Sequence, residues 1–226
     1  MPMCRPLIPT NWSQGLKAGA TSRAASWLVC VSRLASLVRM SSEAPSYFTH
    51  PTAIVEDGAS IGANTKVWHH GHVRTGASIG EACVLGKNVF VDGGAVIGDR
   101  CKIQNNVSVY VGVHIGNDVF VGPAATLTND LVPRAFNTEW KITETLIGNG
   151  ASIGANATVV CGNNIGEYAM VAAGATVTHD VAAHQLVAGT PARHLGWVCT
   201  CGNVVSRETA VPSDLRCEKC LAKDNV

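Results

Sequence analysis

The sequence predicts an all-β chain: a parallel β-helix wound from six-residue units, broken by one projecting loop and closed by a small metal-binding extension. Three observations predict it. Aliphatic residues return at every sixth position over most of the chain, many with glycine beside them. Aromatic residues make up only 5% of a chain that is 46% hydrophobic and holds 23 glycines, so large interlocking rings do not build the core. Four cysteines near the C-terminus stand in two tight pairs.

The repeat is read first, because periodicity changes the meaning of every local signal. From Val55 each sixth residue is aliphatic: Ile61, Val67, Val73, Ile79, Leu85, Val91, Ile97, Ile103, Val109, Ile115, Val121 and Leu127. A second register runs through Ile147, Ile153, Val159, Ile165, Val171 and Val177. The position four residues after each aliphatic is small or β-branched, as at Ala59, Thr65, Gly71, Ala77, Cys83, Val89, Ala95, Cys101 and Val107. A helix returns its apolar residues every three or four positions, so a period of six means short strands joined by tight corners. Gly62, Gly80, Gly86, Gly98, Gly116, Gly148, Gly154 and Gly166 follow the aliphatics directly and are expected to ease those corners. Three units then form a triangular coil, and stacked coils bury columns of small aliphatic side chains.

Three segments follow: an extension at 1–46, the β-helix at 47–196 and a Cys4 module at 197–226. Residues 1–42 hold no acidic residue but carry Arg5, Lys17, Arg23, Arg33 and Arg39. That composition suits a disordered extension with a start at Met40, or a transit peptide. The apolar run from Trp27 to Val38 is broken by Arg33 and is too short for a bilayer span. A net charge of +1 gives no general field for nucleic acid. Nine scattered cysteines without a secretory signal suit a reducing, cytoplasmic compartment.

Between the two registers, residues 129–146 depart from the repeat with Pro, Asn and charged residues, so they are expected to leave the stack as a loop. The end of the repeat reads VAGTPARHLGW over residues 187–197. The words KNVF, CKIQNNVSVY, VFVGP and TND, followed by Pro133 and Arg134, fill the run between 87 and 134. With these motifs the chain resembles the hexapeptide-repeat acyltransferases, whose β-helix is left-handed. It is most similar to the N-acetyltransferases of UDP-2-acetamido-3-amino-2,3-dideoxyglucuronate and of dTDP-linked 3-amino sugars.

The resemblance implies a homotrimer that moves acetyl from acetyl-CoA to a nucleotide-linked amino sugar in polysaccharide or glycan synthesis. It points to Asn129 as the group that positions the amine or the thioester, with Asp130 as the lesser candidate for a base. Asn88, Gln104, Asn105, Asn106 and Arg134 are its substrate-binding candidates, and Lys141 can join Arg134 at a uronate carboxylate. Ala172, Ala173, Gly174, Gly189, Pro191 and Arg193 are its candidates for coenzyme A. The sequence departs from the family at Asp92-Gly93-Gly94 and at Leu131-Val132, both where the acceptor would be read. The loop holds no histidine to act as general base. A hydroxyl acceptor needs such a base, whereas an amine is nucleophilic once neutral, so the acceptor is expected to be an amine.

Two rival readings share the fold. His69, His70 and His72 are the residues a γ-carbonic-anhydrase-like metal site would use, and a non-catalytic scaffold would need no site at all. Cys199, Cys201, Cys217 and Cys220 match a structural zinc site, although one residue rather than two separates the first pair. A segment so short would fold around its metal.

Overall fold

A computed structural model describes residues 46–223, so the extension expected at 1–46 lies outside the described residues except for its last position. The chain forms a parallel β-solenoid of about eight turns, the β-helix that the repeat predicts. Most strands are two residues long and lie on three faces. Face A stacks Phe48–Thr49, Lys66–Val67, Val84–Leu85, Lys102–Ile103, Phe120–Val121, Ser152–Ile153, Met170–Val171 and Gln185–Ala188. Face B runs from Ile54–Val55 to Thr176–Val177, and face C from Ser60–Ile61 to Thr145–Ile147. Among the described residues the one α-helix is Glu218–Lys223, and none is long and apolar enough to cross a membrane.

Pairing fixes the register. Lys66 stands beside Val84, Val84 beside Lys102 and Lys102 beside Phe120, each eighteen residues on. In a two-residue strand one side chain points in and the next points out. The inward set is the aliphatic column of the repeat, with Val67, Leu85, Ile103, Val109, Leu127, Ile153 and Val159 at 0% exposure. The corner positions between them, including Cys83, Cys101, Ala151 and Ala157, are equally buried. Thr65 joins this set because its hydroxyl donates to the Gly80 carbonyl and accepts the Cys83 N–H.

The glycines serve a different purpose from the one the sequence suggests. Those that directly follow the aliphatics do not have positive φ. A Cβ on Gly154 would lie 2.4 Å from Ala173 N and 2.7 Å from the Ala172 carbonyl carbon, so glycine is needed there for close approach of the next coil. The left-handed conformation falls two residues later, on Asn64, Ala82, Asn88, Arg100, Asn106, Asp118 and Ala124.

The loop also closes earlier than expected. Thr145–Ile147 pairs with Val113–Ile115, so the chain rejoins face C at Thr145 instead of after Leu146. A polar Thr145 hides this return in the sequence, yet its side chain is buried. At the other end, Arg193–Val198 pairs antiparallel with Gln185–Ala188 and then with Val204–Ser206, extending face A beyond the solenoid. The expected boundary at 196/197 therefore falls inside one strand.

Ile103→Ala should cost roughly 2–5 kcal/mol, read from urea denaturation, because neighbouring coils cannot close over the cavity. Gly154→Ala should lower the thermal midpoint while Ala155→Gly, one position on, leaves the steric contact intact. A third expectation concerns acid. The Glu56 carboxylate accepts the Thr75 N–H and hydroxyl and lies 2.7 Å from His72 Nε2, and these contacts, the backbone N–H first, hold its pKa at about 2. A depressed folded-state pKa stabilises above the unfolded value near 4.5 and loses that effect as pH falls toward 2. The stability difference between wild type and Glu56→Gln should be constant near neutrality and shrink across that window.

Candidate functional site

The corner between faces A and B forms one continuous edge along the solenoid. The Asn106 N–H bonds to the Lys87 carbonyl, Ala124 to Asn105, Asn156 to Pro123 and Gly174 to Ala155. Gly189 follows, its carbonyl accepting the Thr176 N–H. The fold thus aligns Asn88, then Gln104, Asn105 and Asn106, then Ala172, Ala173 and Gly174, then Gly189. Two sets of candidates that stand almost seventy positions apart in sequence share an edge about three coils apart, roughly 15 Å at the spacing of paired strands.

Their side chains are not equally free. Asn105 Oδ1 accepts the Lys87 N–H at 2.8 Å, and Asn88 Nδ2 donates to Asn106 Oδ1 at 3.0 Å. The same device closes the opposite corner, where Asp99, Asn117 and Asn149 accept the N–H groups of Glu81, Asp99 and Asn117. Asn88, Asn105 and Asn106 thus hold corners together, and Gln104, half-buried, is the amide of this group with no side-chain partner among the described residues. Gly174 has φ near 70°, with open space where a side chain would project. Pro191 follows a cis peptide bond at the exit from the solenoid, where Arg193 is exposed and hydrogen-bonds the Ala192 carbonyl. Arg193 also borders a cleft of about 370 Å³ with Thr178, His179, Asp180 and His194.

Asn129 and Asp130 stand at a different corner, between faces B and C. Asn129 Nδ2 donates to the Val111 carbonyl at 3.1 Å, and its own carbonyl accepts the Thr143 N–H, so it ties the base of the loop to the preceding coil. Its Oδ1 remains available. Asp130 Oδ1 accepts the Val132 N–H, a turn within the loop. Arg134 is exposed and hydrogen-bonds the Pro133 carbonyl. The strand between Asn106 and Val111 separates the two corners by about 16 Å at ~3.3 Å per residue. One protomer therefore does not bring Asn129 to Gln104. The loop further exposes Leu131, Val132, Phe136, Trp140 and Ile142, with Phe136 at 83%.

The histidines divide in the same way. His69 and His70 lie on the A–B edge, where the His69 ring stacks on His50 with centroids 3.5 Å apart. His72 lies on face B against Glu56. They form no metal-binding group within the protomer. Among the described residues the one such group is Cys199, Cys201, Cys217 and Cys220, whose sulfurs all lie within 4.8 Å of one another. The Cys199–Cys220 and Cys201–Cys217 separations are 3.6 and 3.4 Å. These are near the ~3.8 Å between ligands of a tetrahedral ion with ~2.3 Å metal–sulfur bonds, and far from a disulfide. The backbone N–H of Cys201, and then that of Cys217, hold the Cys199 thiol down at about 6. The sulfurs of Cys201, Cys199 and Cys217 push Cys220 up to about 12. The donor set fits a metal ion.

Sequence reading passed over one cluster. Phe48 and Trp68 pack at 5.4 Å, and Trp68, His69, Lys87 and Gln104 border a cleft of about 330 Å³. Phe48 and Lys66, like His50 and Trp68, are eighteen residues apart, so counting coils would have placed these rings together.

Comparison with known proteins finds the same repeat. A profile described as "Hexapeptide repeat of succinyl-transferase" matches residues 76–111 and 145–179, and one described as "Bacterial transferase hexapeptide (six repeats)" matches 94–129. No curated protein matches the chain. Among solved structures, the acetyltransferase domain of PglB from Neisseria gonorrhoeae FA1090, in complex with acetyl coenzyme A, is 23% identical with a TM-score of 0.45. The match covers 66% of this chain and 58% of that one. A mutant perosamine N-acetyltransferase from Caulobacter crescentus, in complex with CoA and GDP-perosamine, is 23% identical with a TM-score of 0.42, over 67% of this chain and 58% of that one. UDP-N-acetylglucosamine acyltransferase from Campylobacter jejuni is 16% identical with a TM-score of 0.41, over 68% and 73%. The coils over residues 76–129 and 145–179 thus carry the hexapeptide repeat that these transferase profiles describe.

Proposed function

We propose that the protein transfers acetyl from acetyl-CoA to the amine of a nucleotide-linked amino sugar. The observation that carries this reading is the A–B edge, where an unengaged amide at Gln104 and the small corner at Ala172–Gly174 lie in line on a hexapeptide-transferase scaffold. Coenzyme A lies over Ala172, Ala173, Gly174 and Gly189, with Pro191 shaping the exit and Arg193 near its phosphates. The acceptor lies toward Gln104. Its neutral amine attacks the thioester carbonyl, a C–N bond forms, the C–S bond breaks and the amine proton leaves with the departing thiolate. Asn129 Oδ1 orients that amine by accepting one N–H, which raises the fraction of productive encounters without ionising. Asp130 is engaged in its turn and is the lesser candidate for a base.

The acceptor we favour is a UDP-linked 3-amino-uronate, with Arg134 or Lys141 at its carboxylate. Because Asn129 and Gln104 stand on separate corners, a complete site needs the loop of a second copy. A homotrimer supplies it, and the apolar loop side chains are what such an interface would cover. In the C-terminal module the bound ion is zinc, held by four thiolates in a structural role and remote from the transfer. We place the protein where thiols stay reduced, in the cytoplasm.

Thiol release from acetyl-CoA on addition of UDP- and dTDP-linked amino sugars tests the reaction. One 3-amino sugar should give rapid release, and Asn129→Ala should slow it roughly ten- to a hundredfold. No release with any sugar, together with no binding of CoA, would favour the scaffold reading. Chains carrying Asn129→Ala and Gln104→Ala, each impaired alone, should regain activity when co-expressed, since a mixed trimer contains an interface with both native residues. Metal analysis should give one zinc per chain, and Cys217→Ser should lose it and lower the thermal midpoint.

A further inference from the structure

Toward the first coils, the A–B edge carries a cleft that shares Gln104 with the proposed acceptor site and runs on to Trp68. It measures about 330 Å³, within the usual range of small-molecule sites, and is lined by Trp68, His69, Val84, Lys87, Gln104 and Asn105 among others. Trp68 is 38% exposed, so its ring is open to solvent along this edge. Both rings are braced by the coil before them. Phe48 packs on Trp68 at 5.4 Å and His50 stacks on His69 at 3.5 Å, while Trp68 and His69 lie within 6° of parallel. Desolvation, then the neighbouring His69 and His70, hold His50 below the usual imidazole range. One coil on, the exposed Lys87 ammonium makes no ion pair among the described residues. One coil further stands Gln104.

We propose that this cleft binds the nucleotide half of the acceptor, with its base on the Trp68 and His69 rings and its diphosphate at Lys87. The proposal rests on the nucleotide-sugar reading above and extends it. Flat, braced rings suit a base, which presents an apolar face of similar size. A free ammonium suits a phosphate. The order along the edge matches the order within a nucleotide sugar: rings, cation one coil later, then the amide that faces the sugar, in roughly 10 Å for two coils. A bare sugar would gain little from two adjoining rings and a cation.

Calorimetric binding of UDP, inorganic pyrophosphate and CoA to the full chain separates the possibilities. Wild type should bind UDP, and Trp68→Ala should weaken UDP about tenfold or more while leaving pyrophosphate and CoA unchanged. Lys87→Ala should weaken both UDP and pyrophosphate, and its side chain is exposed enough that the fold is unaffected; Trp68→Phe should keep the packing on Phe48 and most of the UDP affinity. Equal UDP affinity in wild type, Trp68→Ala and Lys87→Ala, or CoA binding without UDP binding, would overturn the nucleotide cleft and leave the acetyltransferase reading standing. Failure of folded wild type to bind either UDP or CoA would overturn both.

Discussion

Most of this chain follows from one packing constraint: the strands of successive coils, eighteen residues apart through the first coils, must lie directly over one another. The paired strands on each face hold that register, and the interior between three such faces is too narrow for rings. Val, Ile and Leu fill the faces, and Ala, Cys, Thr and Val fill the corners. An insertion within a strand would move the inward side chains out of their column, whereas the last coil drops two residues at a corner and still sets Val187 beside Val171. The one long insertion is therefore expelled whole, between Leu127 and Thr145, and the column resumes above it with Thr126 beside Thr158 and Leu127 beside Val159. Outward positions carry no such restriction, and that is where residues with chemistry are found.

This explains what the sequence revealed and what it hid. Period six is visible because every inward residue obeys one steric rule, and the family motifs lie inside it. The corner glycines were visible as residues, but their purpose was not, since close approach to Ala172 and Ala173 depends on a coil far along in sequence. Thr145 read as loop because a hydroxyl at an inward position breaks the aliphatic pattern. Asn105 read as a sugar contact because nothing local shows that its carboxamide oxygen already accepts the Lys87 N–H. The cysteine module was legible from spacing alone, as four sulfurs in two close pairs have few other arrangements open to them.

The same register separates the candidate site into two parts. Asn129 and Gln104 both face outward, yet face B lies between them, and no side-chain rotation spans about 16 Å. A reading of motifs along the chain cannot show this, because KIQNN and TND are near neighbours in sequence. Counting within the coil does: Gln104 falls at the first corner and Asn129 at the second. The loop's exposed Phe136 and Trp140 then acquire a reason, because a single copy gains nothing from presenting them to water.

At the C-terminal end one strand joins two tasks. Arg193–Val198 is pinned to Gln185–Ala188 along its length, with Trp197 donating its indole N–H to the Glu208 carbonyl. Arg193, beside the proposed coenzyme, begins that strand, and Cys199 directly follows its end. An open solenoid end leaves the edge of face A unpaired and free to fray, and the hairpin that covers it has little apolar surface of its own. Binding a metal at Cys199, Cys201, Cys217 and Cys220 would supply the missing cohesion. The module would then act at a distance from the chemistry, by keeping the last coil closed so that Gly189 and Thr190, whose hydroxyl donates to the Gly174 carbonyl, hold their places.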